Sequence, residues 1–253
     1  MGVAAISYDP VPVLAEFAAR RGVTFPLLSD AGSATITRYG ILNTTVPESN
    51  PLYGYPFPGT FIVNRASIVS SRFFEDAYQE RDTITSVLVR LGGRVDAPAT
   101  KISAPHLTIT SFATDRIVAP GTHFSLVLDI VPDKRVHVYA PGASGYRPIA
   151  LTVQPQANLV VKAAQLPAAE DYFFKPLNEH VPVFSKPFRL VQDLVVDSSR
   201  EAEAALKDVK TMTINASVQY QACDDKLCFT PQSVPLSWTM GVRPLDRERA
   251  PKR

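Results

Sequence analysis

Two cysteines among 253 residues are all the thiol chemistry this chain can offer, and both lie in "YQACDDKLCF", residues 220–229. An excess of charge of one sign is also missing: 26 Lys and Arg face 24 Asp and Glu. That balance gives no electrostatic footprint for nucleic acid or another strongly anionic partner. No apolar run approaches the roughly 18 residues of a membrane span. The N-terminus lacks the basic start and apolar core of a secretory signal. "MGVAAISYDP" enters a strand-like apolar run with no lead-in, which predicts that the chain begins inside a domain. Metal binding is also poorly supported. A zinc site needs four ligands, and His106, His123, His137 and His180 stand at no supporting spacing from the cysteine pair.

What the chain does contain is enough apolar content, 45%, for two cored domains. Residues 2–8 read as a buried strand. Val13, Leu14, Phe17 and Ala18 recur at helical spacing up to a C-capping Gly22. Asp30 is placed to cap a second helix that stops near Gly40. "GTFIVNRASIVSSRFF" reads as two strands around an Asn-Arg turn, and "RDTITSVLVRLGG" as an amphipathic helix. The order β-α, α, β-β, α predicts an α/β domain with a mixed sheet over residues 1–93.

Residues 94–103, Pro- and Ala-rich without periodicity, read as a linker. From 104 to 242 short strands dominate, at 106–112, 123–130, 135–140, 148–154, 159–163 and 187–195, the spacing of a β-sandwich. Phe124, Leu126, Leu128 and Ile130 share one strand face. "SSREAEAALKD" is the one helical stretch here, with a serine cap. Met212, Ile214, Ala216, Val218 and Tyr220 oppose Val234, Leu236, Trp238 and Met240 in a hairpin whose tip carries the cysteines. Residues 243–253 read as a frayed tail.

The residues alone leave two readings of Cys223 and Cys228 open. A structural disulfide is feasible, but closing so short a loop contributes only about 2 kcal/mol. A redox pair is the other reading. Continued alternation puts Cys223 on the polar face with Thr213, Asn215, Ser217, Gln219 and Gln221, where a partner thiolate could reach it. Asp224 and Asp225 oppose thiolate formation and Lys226 favours it.

"VQYQACDDKLCFTPQSVPLSW" resembles the N-terminal domain of the DsbD family of thiol:disulfide interchange proteins, where a Tyr-Gln and a close cysteine pair precede a Pro-containing strand. The resemblance implies an immunoglobulin-like sandwich that works in the periplasm. It passes electrons between protein dithiols and disulfides, and takes thioredoxin-like or membrane exchange proteins as partners. It makes Cys223 and Cys228 the catalytic pair, with Cys228 forming the mixed disulfide. "AEDYFFKPLNEH" is similar to the family's aromatic cap loop: Tyr172 or Phe173 would shield the sulfurs, and Glu170 or Asp171 would move protons.

"VAAISYDP", "FAARRGVTFPLLSD", "YGILN" and "PFPGTFIVN" resemble the back part of an AhpC/TSA-type redoxin, a thioredoxin-like fold. Pro58 is similar to that fold's cis-proline. The family's first strand and reactive cysteine would lie upstream of Met1, so no peroxidase chemistry is assigned to residues 1–93. The combined expectation is an incomplete thioredoxin-like α/β domain followed by an immunoglobulin-like sandwich. Its function would be thiol-disulfide exchange in an exported or periplasmic full-length protein, with no cofactor. The competing expectation is a fragment of a peroxiredoxin-like antioxidant protein, with the sandwich a non-catalytic interaction module held by a structural disulfide.

Overall fold

The computed structural model describes residues 2–50, 53–74, 80–174 and 178–244. They fall into two compact units, Met1–Tyr78 and Gln79–Arg253. In the first, β1 (Ala5–Ser7) lies parallel to β2 (Leu27–Ser29), joined through α1 (Val11–Arg21). Gly22 closes α1 at φ 62°, a left-handed turn that glycine takes without a Cβ clash. The carboxylate of Asp30 accepts from the backbone N–H groups of Thr35 and Ile36 at 3.1 and 2.8 Å, satisfying the start of α2 (Ala34–Arg38). β3 (Gly59–Val63) and β4 (Val69–Phe74) form an antiparallel hairpin, its turn held by the Asn64 side chain accepting from Ala66 and Ile68 N–H. A Cβ at Gly59 would sit 2.5 Å from the Phe74 ring, so a larger residue there would have to displace that ring.

Two expectations for this unit are corrected. The strands form no single mixed sheet: β1–β2 and β3–β4 are separate two-stranded sheets. Two-stranded sheets cover little apolar surface. In α1, Leu14 is buried while Val13 and Phe17 stay exposed. The Phe57–Pro58 bond is trans, since the described residues contain no cis peptide. Trans is the lower form of an X–Pro bond by about 0.5–1 kcal/mol unless tertiary contacts select cis.

The second unit begins with β5 (Arg81–Asp82), α3 (Ile84–Arg90), β6 (Thr100–Ala104), β7 (Leu107–Ala113), β8 (Ile117–Val118) and β9 (Thr122–Pro132). It continues with β10 (His137–Tyr139), β11 (Ala150–Val153), β12 (Leu159–Gln165), β13 (Glu170–Phe174), β14 (Glu179–Phe184) and β15 (Phe188–Val196). It ends with α4 (Arg200–Leu206), β16 (Thr211–Tyr220), β17 (Ala222–Cys223) and β18 (Gln232–Val242).

One sheet runs β12-β15-β9-β7-β6, with β5 parallel to β9, and a second runs β11-β16-β18-β8. Between them Leu126, Leu128, Ile130, Leu190 and Leu194 meet Ile214, Val218, Leu236 and Met240 in one core. The alternation read from the sequence is observed, and the hairpin register sets Met212 opposite Met240 and Ala216 opposite Leu236. Burying each large aliphatic side chain contributes about 1.5–3 kcal/mol. A third sheet, β13-β14-β10-β17, lies to one side and carries the cysteine hairpin. Ser199 caps α4 by accepting from Ala202 N–H at 3.2 Å.

The helix at 84–90 belongs with this second unit. Val89 packs with Phe112, Val127 and Val191 on the outer face of the larger sheet. Thr83 caps the helix by accepting from Ser86 N–H and donates to Asp115 at 2.8 Å, while Arg90 pairs with Asp82. Residues 94–103, read as a linker, are ordered too. Thr100–Ala104 pairs with β7, and Val95 and Ala97 pack against the Val89 cluster. A hairpin partner two residues away supplies backbone hydrogen bonds that need no side-chain periodicity, so the sequence pattern is silent there.

Candidate functional site

The site is built where β16 ends. After Tyr220 the chain leaves the β16–β18 ladder at Gln221, and β17 pairs instead with β10, placing Cys223 opposite His137 and Ala222 opposite Val138. Asp224 then turns the chain. Its Oδ1 accepts from the N–H groups of Lys226 and Leu227, both at 2.7 Å, and its own N–H donates to the Leu227 carbonyl at 3.0 Å. These backbone bonds hold the Asp224 carboxyl below its ordinary value, Lys226 first and Leu227 second. The turn brings Cys223 and Cys228 to a Cα separation of 4.1 Å, and they form a disulfide.

The two sulfurs have unlike surroundings. Cys223 is 1% exposed and clusters with Tyr139, Ala143, Val181 and Val183, with Tyr146 and Tyr172 packed against them. Cys228 is exposed. The Tyr139 hydroxyl spans the pair, 3.1 Å from Cys223 Sγ and 3.3 Å from Cys228 Sγ. Burial first, and then the neighbouring Tyr146, push its pKa well above that of a free phenol. The Tyr139 ring stacks on Tyr146 with centroids 4.0 Å apart, and the Tyr146 hydroxyl donates to the carboxylate of Glu179. On the other side His137 lies edge-on to Tyr139 and 4.5 Å from the Tyr172 ring. Burial holds the His137 imidazole below its usual pKa, against the opposing pull of Asp225 and Asp224. The Tyr172 hydroxyl donates to Asp225 at 3.4 Å. An exposed cysteine bonded to a buried one, beneath a phenol within reach of both sulfurs, is suited to attack from outside and resolution from within.

Residues 110–236, half of the chain, match the family model described as "Thiol:disulfide interchange protein DsbD, N-terminal". The chain belongs to this family. Residues 1–72 match the model of the AhpC/TSA family. Among solved structures, the N-terminal periplasmic domain of ScsB from Proteus mirabilis is similar over 54% of this chain and 49% of that one, at 13% identity and a TM-score of 0.36. The chain thus spans about half the length of that structure. No curated protein matches it. Membership in the DsbD N-terminal family, with the formed disulfide, supports thiol-disulfide exchange in the broad sense. No described helix is long and apolar enough to cross a membrane.

Within this DsbD-type site some sequence-predicted residues come together and others do not. Tyr172 packs against the cluster that contains Cys223. The segment that carries it is a strand, β13, whose alternation turns Asp171 and Phe173 to the other face. Phe173 packs on His180, and Asp171 pairs with His180 at 2.7 Å. Glu170 accepts from Ser185 at 2.8 Å and Lys186 at 3.3 Å. Neither carboxylate is engaged with the sulfurs. Lys175, Pro176 and Leu177 of the cap segment lie outside the described residues.

The expected polar-face exposure of Cys223 is overturned. Alternation applies only while a strand stays in its sheet, and β17 has changed sheets, so both of its residues are buried. The sequence reading missed Tyr139, Tyr146, His137 and Glu179. The "HVY" stretch was legible as a strand, but its facing the cysteines depends on a pairing between residues 84 positions apart.

Proposed function

We propose that the second unit is a thiol-disulfide oxidoreductase that exchanges electrons with dithiols and disulfides of other proteins through Cys223 and Cys228. Cys228 is the sulfur that forms the mixed disulfide, and Cys223 is the resolving one. The observation that carries this reading is the contrast between exposed Cys228 and Cys223 at 1% exposure, because an incoming thiolate can reach one sulfur of the bond and not the other. Tyr172 covers the pair as a cap. Family membership supports thioredoxin-like or membrane exchange proteins as partners and the periplasm as the compartment, where disulfide chemistry persists. We take the exchanging domain to be the sandwich around residues 104–242, with residues 80–103 packed onto it.

The test is trapping. A Cys223→Ser variant incubated with an oxidised thioredoxin-fold protein should accumulate a mixed disulfide through Cys228, and a Cys228→Ser variant should not. Absence of any mixed disulfide, with a Cys223–Cys228 bond that resists reduction in the folded protein, would overturn the proposal in favour of a structural staple.

A further inference from the structure

Thiol-disulfide exchange needs a proton outlet as well as an exposed sulfur, since the attacking species is the thiolate. The two acids expected to serve, Glu170 and Asp171, are bound to Ser185 and Lys186 and to His180. A different route is built into the fold. Tyr139 touches both sulfurs, its ring stacks on Tyr146, and the Tyr146 hydroxyl donates to Glu179, which is partly exposed. We propose that Tyr139, Tyr146 and Glu179 form a proton path that carries the Cys228 proton from the buried side of the cysteine pair to the surface. This rests on the reading of Cys223 and Cys228 as an exchanging pair.

The polarity of the chain suits outward transfer. The Tyr146 hydroxyl is raised chiefly by its bond to Glu179 and then by burial, with the neighbouring Tyr139 side chain lowering it in part. The Tyr139 ring stacks on Tyr146, whose hydroxyl donates to Glu179, so a proton leaving Tyr139 passes to Tyr146 and on to the carboxylate. The Tyr139 oxygen then offers a lone pair to a cysteine thiol. In the reduced protein Cys228 S–H passes its proton to Tyr139 as the Tyr139 proton moves to Tyr146 and the Tyr146 proton to the Glu179 carboxylate. The Cys228 electron pair attacks one sulfur of the partner disulfide, forming the mixed disulfide and releasing the partner's other sulfur as a thiolate, which takes up a proton from water. Cys223, losing its proton by the same path, attacks Cys228 Sγ and expels the second partner sulfur. The pair is oxidised by two electrons, the partner disulfide is reduced, and two protons cross.

The other titratable groups facing the pair are His137 on β10, Tyr172 on β13, and Asp224 and Asp225 in the turn. Among the described residues, none of them hydrogen-bonds to Tyr146 or Glu179. Tyr146→Phe preserves the ring stack and removes the relay atom, and Glu179→Gln preserves shape and removes the terminal acceptor.

The experiment follows reduced full-length protein reacting with a small aromatic disulfide and, separately, with an oxidised thioredoxin-fold protein, by stopped flow across pH. Both variants should slow exchange about tenfold near neutral pH, part of the contribution general acid-base groups make. The double variant should be no slower than either single one. Wild-type rate should return at alkaline pH, and added acetate should rescue Glu179→Gln. Unchanged rates, additive effects or no rescue would overturn the path. Faster exchange in Glu179→Gln would also overturn it, since a merely electrostatic anion opposes thiolate formation and its removal would help. Exchange with the small disulfide but not with any protein would count against the proposed function while leaving the relay to be judged on the small-disulfide rates.

Discussion

The Tyr139 hydroxyl stands 3.1 Å from Cys223 Sγ, although the two residues are 84 positions apart in the chain. Pairing of β10 with β17 produces this contact, and it places a phenol between the disulfide and the Tyr146–Glu179 pair. Replacing Tyr139 by Phe keeps the stack on Tyr146 and removes the hydroxyl that touches both sulfurs. The variant should unfold within about 1 kcal/mol of the parent in denaturant, the scale of one hydrogen bond. Its thiol-disulfide exchange at neutral pH should be slower by about tenfold or more in stopped-flow assays.

Tyr172 covers Cys223 from β13 and is tied to the turn through Asp225. Truncation to Ala removes the ring and that bond together. Small thiols such as dithiothreitol should then reduce the disulfide severalfold faster, with the Phe variant lying between Ala and the parent. Equal reduction rates in all three proteins would show that the ring does not limit access.

Asp224 orders the turn by accepting from Lys226 and Leu227 N–H, and those bonds hold its carboxyl below the ordinary value of 3.8. A depressed carboxyl stabilises the folded turn above its unfolded pKa, and that contribution is lost as pH falls through the folded value. Amide exchange at Lys226 and Leu227 should stay protected at neutral pH and accelerate as the solution is taken below pH 3.8. Asp224→Asn should shift that onset, which a pH series of hydrogen-exchange measurements detects.

Val89 is 2% exposed against Phe112, Val127 and Val191 of the larger sheet. Val89→Ala should therefore destabilise the sandwich by about 1–3 kcal/mol, the usual range for a truncated core side chain. The single tryptophan, Trp238, lies in the sandwich core and reports its unfolding by fluorescence. A Trp238 transition that ignores Val89→Ala would return the helix to the first unit.

Much of this architecture is legible along the chain because it depends on local order. Met212 to Tyr220 alternate in the sequence and alternate in burial. Gly22, Asp30 and Ser199 cap the helices their positions predict. The quoted motifs around Cys223 and Cys228 marked the family whose model matches residues 110–236. Less legible was the fate of residues 84–104, because an amphipathic helix shows that it has a buried face without showing which sheet covers it. Thr83, Arg90 and Val89 chose the sandwich through contacts with Asp115, Asp82 and Phe112.

The sequence by itself determined that thiol chemistry is confined to one hairpin tip, since two cysteines five positions apart leave no other place for it. It also determined the strand faces that build the core, through a two-residue period that survives in any sheet. The tertiary structure alone decided which sulfur is open. Whether a strand stays in its sheet or crosses to another depends on long-range pairing, and β17 crosses. That crossing buries Cys223 beneath Tyr139 and Tyr172 and leaves Cys228 exposed.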